Sequence, residues 1–192
     1  MISNKIIITS IFMLLSVLSF AQIDQEISDN QLKKLFDLSN PVDIHEEFSK
    51  FVGDLKIQAK YWFNPEETPI EAEGNAKIEL VLDNKYLKIS YTLNKNEIKI
   101  EGITLETFDK FINKYKTVLI ENLNYDMILL TGDSDDGGKT IFYKGSYFDS
   151  IRNEQLKVKS IVHYISDNQI QMELFSYFED VETKIKEFIY TR

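Results

Sequence analysis

Only two histidines occur in the 192 residues, and cysteine is absent, so the range of nucleophilic and metal-binding chemistry is narrow. His45 lies beside Glu46 and Glu47 in a stretch with apolar residues at helical spacing. Its stripe neighbours Ile44, Phe48 and Phe51 point inward, which puts His45 on the exposed side. On a later strand Leu156, Val158, Ser160, Val162 and Tyr164 share one face, and His163 falls on the other with Lys157, Lys159 and Ile161. It reads as a surface histidine, with haem ligation the minor alternative. No serine stands in a nucleophile-elbow pattern with a histidine to activate it. Gly137-Gly138-Lys139-Thr140 has the ending of a phosphate-binding loop, but position 133, where that motif needs glycine, holds Asp133, and no helix follows. The segment reads as a hairpin turn. Asp133 and Asp135 open like a calcium loop, yet its fifth and twelfth positions hold Gly137 and Lys144. The acidic pairs Glu46/Glu47, Glu66/Glu67 and Asp135/Asp136 adjoin turns or a helix surface, where solvation explains them. No catalytic residue, metal ligand or cofactor is expected.

The residues suited to recognition are aromatic. Period-two alternation places Tyr61, Tyr91, Tyr143, Tyr147 and Tyr164 on inward faces, with Met172 and Leu174. The strand near 114–123 admits two parities, and one of them buries Tyr115, Leu119 and Glu121 together. Glu121 would then be a carboxylate in an aromatic lumen, requiring a tyrosine hydroxyl or Lys85 as partner. The candidate ligand-binding set is therefore Tyr61, Tyr91, Tyr115, Glu121, Tyr143, Tyr147 and Met172. Apolar walls with a few placed polar groups are what pockets are made of. In the alternative, the tyrosines simply fill the interior, and an exposed Trp62 anchors a protein partner.

The elements that must position these residues are mostly strands. Two short helices come first. Asp29 caps one bearing Leu32, Leu35 and Phe36, and Asn40-Pro41 ends it. Asp43 caps the other, with Glu46 three residues on. From Gly53 the period becomes two. Leu55, Ile57, Ala59, Tyr61 and Phe63 alternate with polar residues, then Ile70 through Leu82, then Leu87 through Leu93 after an Asp83-Asn84 hairpin turn. Small residues at 72, 74 and 76 leave inner space or allow close backbone approach. Further strands are expected near 97–106, 114–123, 126–131, 140–148, 155–165, 169–178 and 184–191. All three prolines fall between elements, and no crossover helix interrupts the strands. Ten antiparallel strands hide both sheet edges by closing, so the expected fold is an all-β, up-and-down barrel. The expected domains are a leader at 1–21, a helical segment at 22–52 and the barrel at 53–192.

Residues 1–21 have the layout of a signal peptide: Lys5 in a short basic start, an apolar run from Ile6 to Phe20, and Ser19-Phe20-Ala21 before a cleavage point at Gln22. The run is shorter than the ~20 residues that span a bilayer. An exported, periplasmic or extracellular protein with no membrane anchor after cleavage is expected. The net charge of −9 falls further once Lys5 leaves. Such a field repels phosphate backbones, so no nucleic-acid partner is expected.

From about Phe48 to Arg192 the chain resembles the bacterial domain-of-unknown-function family numbered 1579. The resemblance rests on ordered pieces: Phe51-Val52-Gly53, Trp62 with Pro65 and Pro69, Leu82 through Leu87, Gly102 through Asp109, Tyr115 through Asn122, Gly137 through Thr140, Gly145-Ser146-Tyr147, and Glu187 through Arg192. It implies a lipocalin-type, calycin-like barrel and no particular reaction. The family favours Gly-x-Trp at the first strand, where this chain has Gly53-Asp54-Leu55, so Arg192 would meet Leu55 in place of a tryptophan.

Overall fold

The computed structural model describes residues 28–64 and 66–192; the expected leader lies outside the described residues. Helix α1 covers residues 28–38, with Leu32, Leu35 and Phe36 exposed, and belongs to a unit separate from the barrel. The second unit, Pro41–Arg192, begins with helix α2 (Asp43–Glu47) and one 3-10 turn (Phe48–Phe51). Ten strands follow: β1 (Gly53–Tyr61), β2 (Ile70–Val81), β3 (Tyr86–Lys95), β4 (Ile98–Asp109), β5 (Lys114–Glu121), β6 (Met127–Asp133), β7 (Thr140–Asp149), β8 (Glu154–Ser166), β9 (Gln169–Phe178) and β10 (Val181–Thr191).

Each strand pairs antiparallel with its neighbour in sequence, and β10 pairs with β1 to close the barrel. This is the up-and-down architecture that the alternation implies. Every inward face contributes to one core, from Leu55, Ile57 and Tyr61 on β1 round to Phe188 and Tyr190 on β10. Outward neighbours such as Lys56, Gln58 and Lys77 are solvated. Among the described residues no helix is long and apolar enough to cross a membrane, a statement that does not bear on strands.

At the small-residue positions of β2, close approach is the operative reading for residue 74. A Cβ on Gly74 would lie 1.8 Å from the Thr92 carbonyl oxygen, so β2 and β3 pass too near for any side chain there. The turn after β2 is longer than the expected two residues: Leu82, Asp83 and Asn84 all take positive φ, and Lys85 N–H returns to Leu82 O at 3.3 Å.

One end of the barrel is plugged by α2 and the 3-10 turn. Phe51 stacks on Tyr164 with ring centroids 4.4 Å apart, and Phe48 lies at 6.5 Å from the same ring. Here His45 departs from expectation, since it is buried. The α-helix lasts barely more than a turn and tightens into the 3-10 turn, so the helical phase that exposes residue 45 does not hold. The cap also sits one residue earlier, at Val42, whose N–H donates to His45 Nδ1 at 3.1 Å. Thr107 Oγ1 donates to Lys85 O at 2.6 Å, which leaves it to accept from His45 Nε2 at 3.4 Å. These partners fix the neutral tautomer. Burial holds the His45 pKa below the ordinary value, against the opposing pull of its backbone hydrogen bonds.

Arg192 also finds a partner other than the expected one. It donates to the carbonyls of Val52 at 2.7 Å and Lys50 at 3.2 Å, so it fastens the last strand to the plug through backbone oxygens.

Candidate functional site

The strand ends opposite the plug leave the barrel open. β5 presents Glu121 inward, so the parity that buries Tyr115, Leu119 and Glu121 together is the one adopted. Glu121 Oε1 accepts from Tyr91 Oη at 2.7 Å and from Tyr61 Oη at 3.1 Å. Its other oxygen receives the Lys186 ammonium, which also lies 5.5 Å from the Tyr61 ring centroid. Burial, then the Glu121 charge, pushes both phenols well above their ordinary range.

The expected cation, Lys85, is instead on the turn at the plugged end, 3.7 Å from Asp83. Lys186 serves because of its register. A β-bulge between Lys184 and Lys186 sends Lys184 outward to Glu173 and Glu187, while Lys186 stays in phase with the inward Phe188 and Tyr190. That shared phase at 186, 188 and 190 was the available sequence signal for Lys186. A charge near the start of a strand reads more readily as a solvated end.

Above this floor lies a cavity of about 430 Å³, walled by Trp62, Tyr147, Phe148, Ile151, Phe178 and Val181. Trp62 is half-buried here, not exposed; its backbone N–H donates to Ile185 O at 2.9 Å and its ring lies 5.8 Å from the Lys184 ammonium. On one side Asp149 is buried beneath the β7–β8 turn. It accepts from the N–H groups of Ile151 (2.9 Å) and Arg152 (3.0 Å) and from the Arg152 guanidinium (2.8 Å). Burial works against ionisation of Asp149, but these bonds prevail and hold its pKa below the ordinary value. Arg152 also lies 5.2 Å from the Phe178 ring centroid. The Asp149–Arg152 pair falls between two expected strands, and its backbone partners are local.

The deeper lumen is packed. Phe188 sits edge-on to Tyr61 (5.8 Å), Tyr91 (5.3 Å) and Tyr190 (6.3 Å). A second acid, Glu106 on β4, is buried there and accepts from Tyr164 Oη at 2.6 Å. The Tyr143 hydroxyl is near enough to interact with that carboxyl but outside regular hydrogen-bond geometry. Burial pushes the Glu106 pKa up to about 7, against the pull of the two phenols. Glu106 shares phase with Ile100, Gly102 and Thr104, a signal outweighed by its charge. A cavity of about 30 Å³ remains beside Met172, Thr104 and Tyr190, and the hydroxyls of Thr104 and Tyr190 have no hydrogen-bond partner among the described residues.

The expected set therefore divides. Tyr61, Glu121 and Tyr147 line the open cavity, and Tyr91 supports Glu121 from beneath. Tyr143 and Tyr115 are buried in the core near Glu106, and Met172 lines the small internal cavity. His163 is half-buried, with Thr140 Oγ1 3.3 Å from its ring. Gly137 and Gly138 take positive φ in the bend between β6 and β7. Among the described residues no cluster of His, Asp and Glu could hold a metal ion.

A closed ten-strand antiparallel barrel with one plugged and one open end is a calycin-like fold. Within that class the chain belongs to the family described as proteins of unknown function (DUF1579), which matches residues 40–192. Among solved structures it is similar to an S-type phycobiliprotein lyase from Guillardia theta, at 12% identity and a TM-score of 0.51, covering 81% of this chain and 94% of that one. It is also matched to a protein of unknown function of the DUF3598 family from Nostoc punctiforme, at 8% identity over 79% of this chain and 100% of that one; the TM-score of 0.23 is too low to bear on the fold. No curated protein matches.

Proposed function

We propose that this chain is an exported binding protein that takes a small, largely apolar molecule into the open end of its barrel. The observation that carries the reading is the cavity of about 430 Å³ with mainly apolar walls above the Glu121–Lys186–Tyr61 floor. That volume is in the range of small-molecule sites, roughly 300–1,000 Å³, and Glu121, Lys186 and Tyr61 at the floor are polar groups that can orient a guest. Affinity would come chiefly from apolar burial, at ~25 cal/mol per Å². The likeness to the phycobiliprotein lyase supports the architecture of this reading and nothing of its chemistry. Export rests on the layout of residues 1–21 and is checked by sequencing the N-terminus of the mature protein, expected at Gln22.

The test of binding is titration with the uncharged fluorophore N-phenyl-1-naphthylamine. Saturable binding is expected, lost in a Thr183→Trp variant that fills the mouth and retains its Tm. Absent binding, or equal binding by the variant, overturns the proposal.

A second reading is favoured by the exposed Phe63, Tyr125, Met127, Ile151 and Val181, all on the loops or strand ends of the open end. A protein partner could bury them against this rim. In that case substitutions at the rim would abolish a complex, and filling the mouth would leave it intact.

A further inference from the structure

We propose that the guest is an uncharged apolar molecule carrying a hydrogen-bond acceptor oxygen, of the ketone or ester kind, held by the Lys186 ammonium with its chain lying toward the mouth. This deepens the binding reading and rests on it.

The argument begins with charge. Two ion pairs lie within the cavity, Lys186 with Glu121 and Arg152 with Asp149. Each acid is more deeply buried than its cation: side-chain exposures are 1% for Glu121 against 12% for Lys186, and 8% for Asp149 against 36% for Arg152. The enclosed part of the site is therefore neutral, and its remaining charged lining residue, Glu179, is exposed to solvent at the rim. A carboxylate guest would add an uncompensated negative charge beside Glu121 and Asp149. An ammonium guest would meet Lys186. Either charge would be taken out of water with no free counter-charge waiting, which is costly.

The second observation concerns donors. A lysine ammonium carries three N–H groups. One goes to Glu121, and among the described residues no other side chain or carbonyl accepts from Lys186. Glu121, in contrast, is satisfied from three directions. Lys186 consequently supplies the spare donors of the floor, so it favours a guest with an acceptor. An alkane would leave those donors unpaired after water is expelled. Above the floor Trp62, Phe148, Ile151, Phe178 and Val181 provide apolar wall, which sets the direction of the chain.

The experiment uses the full mature chain and displacement of N-phenyl-1-naphthylamine by four compounds of matched length: methyl laurate, lauric acid at pH 8, dodecylamine at pH 7, and n-tridecane. Methyl laurate is expected to displace the probe at about tenfold lower concentration than each of the others, the size of one hydrogen bond to a charged donor. A Lys186→Met/Glu121→Gln double variant keeps the floor neutral and buries the amide beneath a thioether. In it the ester-to-alkane ratio is expected to fall to about one. Equal or tighter binding of the acid or the amine overturns the neutral-guest inference. Equal binding of the alkane, or an unchanged ratio in the double variant, overturns the role of Lys186. If the probe binds and none of the four compounds displaces it, the ligand class is wrong and the binding reading stands. If the probe never binds, the binding reading itself falls.

Discussion

Tyr164 donates its phenolic hydrogen to Glu106 at 2.6 Å inside the barrel, and Glu106 has no ion-pair partner among the described residues. With burial the dominant influence, the carboxyl titrates at about 7. In the unfolded chain it titrates near 4.3. Below that value both states hold the proton. As pH rises from there to about 7 the unfolded state ionises first, so stability falls across the window and levels off above it. The loss is up to about 4 kcal/mol, at roughly 1.4 kcal/mol per unit. Glu106→Gln keeps an acceptor for Tyr164 and removes the titration. Urea unfolding at pH 5, 7 and 8.5 should show the variant gaining on the parent as pH rises; parallel profiles would refute the assignment.

Lys186 and Glu121 should respond unequally to single substitutions. Lys186→Met leaves a carboxylate buried without its cation, at a cost of about 3–5 kcal/mol. Glu121→Gln leaves a lysine that can turn toward the mouth, so its cost should be nearer the ~1–3 kcal/mol of an altered hydrogen-bond set. Thermal denaturation of both variants and the double variant checks the ranking, with the double variant recovering much of the first loss.

Two glycines should separate a backbone effect from a side-chain effect. Gly74→Ala forces a Cβ onto the Thr92 carbonyl, where only strand separation relieves it. Gly102→Ala places a Cβ 2.2 Å from the Tyr91 hydroxyl, and moving that ring breaks its bond to Glu121. Both should destabilise, by about 1–3 kcal/mol for overpacking and more at residue 74. Only Gly102→Ala should shift the Tyr91 ring resonances with the strand register intact. Unchanged Tyr91 shifts in a folded G102A protein would count against the crowding.

His45 should titrate low. Burial lowers its pKa, so the folded state resists a proton that the unfolded chain accepts near 6.5. The stability it contributes is present above that value and is lost as pH falls below it. NMR titration of the ring is expected to give a midpoint under 6.5, with the Phe51 ring shifts following it as the plug loosens. A midpoint at or above 6.5 would remove the buried tautomer from the account.

Much of this architecture is legible in the residues. Alternation from Leu55 onward gives the strands, and turn residues such as Asp83-Asn84 and Gly137-Gly138 separate them, because faces and turns are local properties. Tyr61, Tyr91 and Glu121 are legible for the same reason, once parity is followed through β5. Lys186 is harder, since its phase sits beside a bulge and its partner is 65 residues away in sequence. Glu106 is passed over because burying a lone acid is costly and therefore a poor default. His45 is misread because a regular helical phase does not carry through a segment that winds more tightly after one turn.

The pairing of β1 with β10 sets Lys56 opposite Thr191, so the first and last strands share a seam. No partial chain lacking β10 can seal that seam, and any such intermediate carries two open edges at once. Completion must therefore wait for the final strand, and assembly of the barrel should be slow for its size, as loops this long close late. The final fastening comes from the last residue: the barrel cannot lock until Arg192 reaches the carbonyls of Lys50 and Val52.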